Sequence, residues 1–495
     1  MLNFMRLLSN KKKDATLKSK TLRNLFWLTT STLLTMSLNM SINFFLARKM
    51  GAATYGQWSL ILAVTAWIVV LRTAVGSDLV RKSAQDSQYG RSVFVPTVLL
   101  LITGGAVIGG IGMLLNWTII QTKDIFAPSI ITALAFVVIA LSSIPVSIFI
   151  GRDRMQWQLG DSVNSLLILI FLVLLILFGH EVTISTVANL YLNSSLIITV
   201  PLILGGILLI KPVSLWWPES FIRSSFIDIG QLFIVNWQLT LHWTIELYLL
   251  QILLGSRDVG LYNAAFKLIA VFRILPSVLM MSLVPEVARR AAISDFVFIR
   301  ETWETSTRIL LSAAGLLIPI ILVFADDIVL LVYSSEYERS TIVFMILSAS
   351  LFPFFMQSVI QSLIYAMGHY QKLNWGLAAG LLVQALAGYV LIFNFSLEGA
   401  AISFIIGECT ILAFFYFFAV GIFGRPSTAF IGNIVISSLV TMAFTILGLQ
   451  YRIPSILLFG AVIIAYCLLL YFLRCISVHD IQIVKSLLIG IRRRN

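Results

Sequence analysis

The chain has 495 residues, of which 59% are hydrophobic and 11% charged, with a formal net charge of +12. An ordinary soluble domain is about 25% charged, so this composition, with a mean hydropathy of +0.97, excludes a water-soluble enzyme, a disordered chain and a secreted disulfide scaffold and points to an integral membrane protein. The positive balance reads as orientation in a bilayer and contact with anionic lipid, not as nucleic-acid binding. Residues 1–24 are basic and polar (Lys11, Lys12, Lys13, Lys18, Lys20, Arg23) and read as a cytoplasmic tail. The apolar stretch 25–47 is longer than the ~7–15-residue core of a cleavable signal, which predicts a retained first span. A spanning helix needs about 20 apolar residues. Stretches of that kind follow at 56–76, 93–116, 125–150, 161–179, 184–210, 226–254, 261–285, 306–332, 341–366, 373–395, 399–420, 428–449 and 454–473. The expectation is an all-α integral membrane protein with about fourteen transmembrane helices. Cys409, Cys467 and Cys475 lie in or beside apolar stretches at no metal-binding spacing, and the four histidines are scattered; neither a disulfide framework nor a metal site is expected.

Charge checks the span count. With the N-terminus inside, the inner segments hold 25 Lys and Arg, the outer loops hold six (Arg48, Lys49, Lys123, Arg257, Arg339, Arg452), and Arg72, Lys267 and Arg273 fall within spans. This bias supports an even number of spans with both termini cytoplasmic. Trp216 and Trp217 with Pro218 read as an interfacial belt on the inner side. No loop exceeds about two dozen residues, which leaves no room for a catalytic domain outside the membrane. No GxxxxGK[ST] phosphate loop is present, so direct ATP coupling within the chain is not expected.

Two stretches look alike at an offset of 204 residues: LARKMGAATYGQW, with Gly51, Gly56 and Trp58, and LQILLGSRDVGLY, with Gly255, Gly260 and Tyr262. Each follows one span and opens the next. Spans 1 and 7 are then counterparts, spans 1–6 and 7–12 form two halves of one orientation, and spans 13 and 14 are an appended hairpin. The alternative is two unrelated tight glycine turns. The division expected is a basic tail at 1–24, an N-terminal six-helix bundle at 25–210, a cytoplasmic linker at 211–225, a C-terminal six-helix bundle at 226–420, the hairpin at 428–473 and a basic tail at 474–495.

The same residues carry a resemblance. Arg48, Gly51, Tyr55 and Gly56 resemble the ARxxGxxxYG turn of the Wzx-type polysaccharide flippases of the MOP superfamily. Glu246 to Tyr262 is similar to that family's D-x13-G-x-Y pattern, with Glu in place of Asp and Gln251 where Gly is usual. Further matches follow in order: Pro285 with Arg289, Glu336 with Tyr337, Gly368 with Lys372, and Gly399, Ala400 and Glu408. The resemblance implies two six-helix bundles in a V shape of the MATE kind, a central cavity and alternating access. It implies a flippase moving polyprenyl-pyrophosphate-linked oligosaccharide repeat units from the cytoplasmic to the outer leaflet of a bacterial inner membrane. It also implies work alongside a polysaccharide polymerase and a chain-length regulator, with monomer as the expected state.

Such a task needs a polar, partly cationic path and no nucleophile. Span 1 is rich in Ser, Thr and Asn, and Asn39 and Asn43 share a face at i, i+4. That face either meets sugar hydroxyls or packs against another helix. An intramembrane charge costs at least about 2.5–3.5 kcal/mol, so Arg72, Lys267 and Arg273 are candidates for pyrophosphate binding, Arg offering a planar donor fork. Cationic residues of spans 1, 2 and 8 line the cavity in the related lipid II flippases, which favours this by resemblance. The alternative for Arg72 and Lys267 is snorkelling to the two interfaces. Glu246, with His242 at i−4, is a candidate proton or sodium coupling site; the competing reading is a salt bridge from Glu246 to Lys267 or Arg273. No other cofactor is expected. Asp326 and Asp327 read as a solvated helix end, because helical neighbours point about 100° apart. Three other functions fit less well. A multidrug exporter of the superfamily is disfavoured because 25–47 holds no acid, and a lipid II flippase because that span holds no internal Arg. A membrane polymerase is disfavoured by the short outer loops.

Overall fold

The computed structural model describes residues 2–86, 92–120, 125–152, 154–210, 226–425, 429–451 and 453–473, with side chains from residue 27 onward except at 85, 120, 210, 226, 227, 281, 282, 285, 286, 292, 370 and 429. The side chains of the basic tail at 1–24, the linker at 211–225 with Trp216, Trp217 and Pro218, and the tail at 474–495 lie outside the described residues.

Apolar segments of this length have one stable form in lipid: the helix satisfies every backbone N–H and C=O within itself. Fifteen α-helices account for nearly all the described residues. They are α1 (Leu2–Gln85), α2 (Phe94–Ile120), α3 (Phe126–Gly151), α4 (Leu159–Leu177), α5 (Ile184–Ile210), α6 (Phe226–His242), α7 (Ile245–Leu253), α8 (Ser256–Phe272), α9 (Ile274–Ala292), α10 (Phe296–Val332), α11 (Ser340–Ser348), α12 (Leu351–Ala366), α13 (Tyr370–Phe423), α14 (Ala429–Gln450) and α15 (Ser455–Phe472). Ten helical stretches are long and apolar enough to cross a bilayer, one of them Ser256–Met280, which takes in α8 and the start of α9, or eleven when the pair α11 and α12, bent by 48°, counts as one. The expected fourteen exceeds this for a structural reason. Two long helices each hold two expected spans, and the stretch 226–254 is divided into α6 and α7, neither of which has the length to cross alone.

The two long helices are broken at single residues. In α1 the break is Gly51 (φ 75°, ψ 164°), between the stretches 25–47 and 56–76. In α13 it is Ser396 (φ 52°, ψ −127°), between 373–395 and 399–420. Contacts along α13 show that its arms fold back on each other. A Cβ on Gly376 would meet Phe415, one on Gly380 would meet Ile411, one on Gly388 would meet Ser403, and one on Gly399 would lie 2.0 Å from the carbonyl oxygen of Leu391. The paired numbers advance on one arm as they fall on the other, the signature of an antiparallel hairpin.

The proposed sequence repeat has a common backbone geometry. Gly51 and Gly255, its first glycines, both adopt positive φ with ψ near 180° (75°/164° and 111°/178°), a region costly for a residue with a Cβ. Seven residues on, Trp58 and Tyr262 are both fully buried.

The described chain divides into compact units of residues 1–240 and 241–495. In the first, Leu71, Ala74, Val75 and Leu79 of α1 pack with Leu101 of α2, Ala140, Ile144 and Ile148 of α3, and Ile229 of α6. Most of α6 therefore belongs with the first unit, and the division between the units falls inside that helix. In the second unit, α14 and α15 are fastened to α10 through Leu311, Phe430, Ile434, Tyr466 and Leu470. The Tyr466 hydroxyl donates to the Ser312 carbonyl at 3.0 Å. The appended hairpin expected at 428–473 is thus packed on the second unit.

Candidate functional site

Three expected spans are interrupted within their apolar run: α6 from α7 at Trp243–Thr244, α8 from α9 at Arg273, and α11 from α12 at Ala349–Ser350. A helix end leaves backbone groups without intrahelical partners, and such groups are tolerated at membrane depth only where protein surrounds them. Two of these breaks carry charged side chains. His242 is the last residue of α6, Glu246 lies in the first turn of α7, and Arg273 is the residue between α8 and α9.

All three side chains are buried, and both arms of α13 supply partners from their facing sides: Gln384 from the first and Glu408 from the second. Gln384 Nε2 donates to the His242 carbonyl at 2.8 Å and to Glu246 Oε1 at 2.5 Å. Gln384 Oε1 meets His242 Nδ1. On the other side of the imidazole, Nε2 faces Glu408 Oε1 at 3.3 Å. The same oxygen accepts from Arg273 Nη2 at 2.6 Å. Glu408 Oε2 accepts from Gln357 Nε2 of α12. The Arg273 guanidinium lies over Phe354, 3.7 Å from its ring centroid, with Trp243, Phe266 and Phe404 also within cation–π range. Its Nη1 has no hydrogen-bond partner among the described residues.

The partners fix the orientation of the central amide. Two acceptors before Gln384 Nε2 set that orientation, so Gln384 Oε1 accepts and His242 Nδ1 carries hydrogen. His242 Nε2 faces Glu408 Oε1 without a hydrogen bond. The network gathers one guanidinium, one imidazole and two carboxyl groups, Glu246 and Glu408, with Arg273 and Glu408 as its direct ion pair.

The remaining candidates are distributed over both units. Arg72 Nη2 pairs with Asp161 Oδ1 of α4 at 2.5 Å, and both side chains keep some exposure (18% and 35%). Lys267 of α8 is half-buried and has no hydrogen-bond or ion-pair partner among the described residues. Much of the polar face of α1 bonds to α4 and the residue that precedes it: Ser31 to Ser162 and to the Gln158 carbonyl, Thr35 to Ser162, and Asn39 Oδ1 to Ser165 at 3.1 Å. Asn43 donates to the Asn39 carbonyl and accepts a long 3.4 Å bond from Tyr55. Asn39 stays exposed and Asn43 half-buried, so neither is wholly committed to packing. Asp326 and Asp327 are exposed at the far end of α10. Tyr337, of the Glu336–Tyr337 pair, is fully buried against Tyr333, whose hydroxyl donates to the Ala264 carbonyl.

Gln384 and Gln357 are additions to the residues the sequence singled out. Glu408 stood there only as part of a family-pattern match with Gly399 and Ala400. An uncharged amide in an apolar helix carries no local signal, and the partners are separated by 135 to 166 residues from the groups they hold, Gln357 excepted at 51. Asp78 and Asp228 were also unmarked. Asp78, 1% exposed, pairs with Lys82 at 3.1 Å and Arg81 at 3.3 Å, and Asp228 pairs with Arg81, tying α6 to α1.

Several solved structures share this fold. The lipid II flippase MurJ in an inward closed conformation superposes with a TM-score of 0.70 at 12% identity, over 90% of this chain and 98% of that one. An inward-facing multidrug resistance MATE family transporter of the MOP superfamily gives 0.66 at 14% identity, over 79% and 94%. The MATE transporter VcmN of Vibrio cholerae gives 0.61 at 15% identity, over 82% and 97%. No curated protein matches the chain by sequence. Residues 21–291, more than half of the chain, match the family described as polysaccharide biosynthesis protein, so this multi-pass membrane chain with the fold of MOP-superfamily transporters belongs to that family.

Proposed function

We propose that the protein is a flippase that carries polyprenyl-pyrophosphate-linked oligosaccharide repeat units from the cytoplasmic to the outer leaflet of the bacterial inner membrane. Transport proceeds by alternating access, in surface polysaccharide synthesis, with both termini in the cytoplasm. The observation that carries the reading is the buried network of Arg273, Glu408, His242 and Glu246 inside the apolar helices of a polysaccharide-biosynthesis chain. Intramembrane charges of this kind mark ion and substrate paths. Arg72, Arg273 and Lys267 are the cations for the diphosphate, Asn39 and Asn43 offer amides to sugar hydroxyls, and His242 with Glu246 forms the ion-coupling element. The lipid-linked unit needs to be moved, not chemically altered, so no nucleophile enters the mechanism.

The test is genetic. Deleting the gene should make lipid-linked repeat units accumulate on the cytoplasmic leaflet while surface polysaccharide disappears, and wild type should restore export. Intact surface glycan with new sensitivity to cationic drugs would instead assign the chain to drug export.

A further inference from the structure

Glu408 occupies the place on Arg273 that a substrate anion would need. One fork of the guanidinium is bonded to its Oε1, and the other, Nη1, is a buried donor with no hydrogen-bond partner among the described residues. Aromatic rings close around the remaining faces of the group. Removing one partner from a buried ion pair is ordinarily prohibitive, because the other is left as an uncompensated charge. Here that consequence is already provided for. The oxygen that holds Arg273 also faces His242 Nε2 at 3.3 Å. The second oxygen is held by Gln357. When Arg273 swings away, Glu408 keeps the His242 imidazole and an amide donor beside it, and the arginine gains a free fork that matches a phosphate bidentately.

We infer that Glu408 is an internal competitor for Arg273, a positioning residue that keeps the arginine latent until a diphosphate-bearing lipid displaces it and takes it back to release that lipid. This rests on the flippase reading above. His242 supports the exchange by holding Glu408 while Arg273 is engaged elsewhere. The charged and titratable groups around the imidazole are Glu408 on the second arm of α13, Glu246 on α7, Arg273 between α8 and α9, and Tyr262 on α8. Gln384 on the first arm of α13 holds the opposite ring nitrogen.

A carboxylate with a purely structural role would make every substitution harmful. A competitor predicts opposite signs. The probe is farnesyl diphosphate, with farnesol as the control for apolar binding and inorganic pyrophosphate for binding without a chain, all measured on the purified full-length protein in detergent. Glu408→Gln should bind farnesyl diphosphate roughly tenfold or more tightly than wild type, chiefly through slower release, and should turn over more slowly in a flipping assay. His242→Gln should bind it roughly tenfold more weakly, because Glu408 then loses the imidazole contact and is left with Arg273 and Gln357 alone. The double variant should behave like Glu408→Gln alone, since with no competitor left there is nothing for His242 to hold. Arg273→Ala should lose the preference for diphosphate over farnesol. If wild type prefers the diphosphate and well-folded Glu408→Gln binds no more tightly, or if the double variant shows additive losses, the competitor role is overturned while the flippase reading stands. If neither wild type nor Glu408→Gln prefers farnesyl diphosphate to farnesol, the flippase reading and this inference fall together.

Discussion

Gln384 shows how one neutral side chain sets the terms for several charged ones. Its amide caps the end of α6 at the His242 carbonyl, holds Glu246 Oε1 and fixes the imidazole through Nδ1. Replacing it by Leu leaves these buried groups without partners, each at a cost of about 1–3 kcal/mol. Gln384→Leu should therefore lower the thermal midpoint of the detergent-purified protein by several degrees. Asn394→Ala, which removes an exposed amide bonded only to its own helix, should leave that midpoint unchanged. Equal melting of the two variants in a fluorescence-monitored scan would mean that Gln384 organises nothing. The contrast also explains what the sequence could and could not disclose. Arg273, Glu246 and His242 are legible because a formal charge or an imidazole in an apolar run has an obvious cost. Their partners are not: the sequence left Glu246 a choice of Lys267 or Arg273, whereas Arg273 pairs with Glu408 and Glu246 takes an amide from Gln384. Pairing of this kind depends on which helix faces are brought together, and no local pattern records it.

At the scale of elements, the informative features are breaks and close approaches. Pro276 and Pro353 each sit third in the helix that follows a break, in α9 and α12. Proline lacks the N–H and its ring crowds the carbonyl four residues back, which favours a break before it. Yet α3, α5 and α10 run through Pro145, Pro201 and Pro319, so proline alone does not announce an interruption, and the sequence reads straight spans at 261–285 and 341–366. The break at Trp243–Thr244 has neither Gly nor Pro to announce it, and only the tertiary network accounts for it. The hairpin inside α13 is legible from its short connection, and its closeness has a sharp consequence. A Cβ on Gly399 would lie 2.0 Å from the carbonyl oxygen of Leu391, a backbone atom that cannot step aside without prising the arms apart. Those arms carry Gln384 and Glu408. Overpacking typically costs about 1–3 kcal/mol, and here the shift passes directly to the buried network. Gly399→Ala should reduce both melting temperature and export of glycan, whereas Gly421→Ala, on the same helix with open space around it, should be neutral or slightly stabilising. Parallel complementation and melting of the two strains decide it; a fully active, wild-type-stable Gly399→Ala would show that the arms are less tightly joined than the geometry requires.

For the whole molecule the question is what drives movement. Under the flippase reading, an ion gradient across the membrane is the source of work to test. The network supplies a means. Arg273 and Glu408 balance each other, and Glu246 is a further buried carboxyl group held by an amide, so the net charge of the cluster turns on whether a proton is bound at Glu246. Two packings of the same helices that differ in how much they bury this cluster will then be populated differently according to whether the proton is present, which is how a local charge becomes a shift between global states. Glu246 is the carboxylate without an arginine, so its charge is the one the proton answers. Glu246→Gln removes that charge while preserving shape, and leaves the Arg273–Glu408 pair without the second carboxyl group that could take up or release a proton. In proteoliposomes loaded with a lipid-linked oligosaccharide, an imposed proton gradient should change the flipping rate of wild type several-fold, whereas the Glu246→Gln protein should respond to neither the size nor the sign of the gradient. Expression and melting of the variant should match wild type, because the amide oxygen that replaces the carboxylate can still accept from Gln384. A variant that keeps the wild-type response would remove Glu246 from the coupling element, and a wild type indifferent to protons but responsive to sodium would transfer the same charge argument to a metal cation at the same carboxylate.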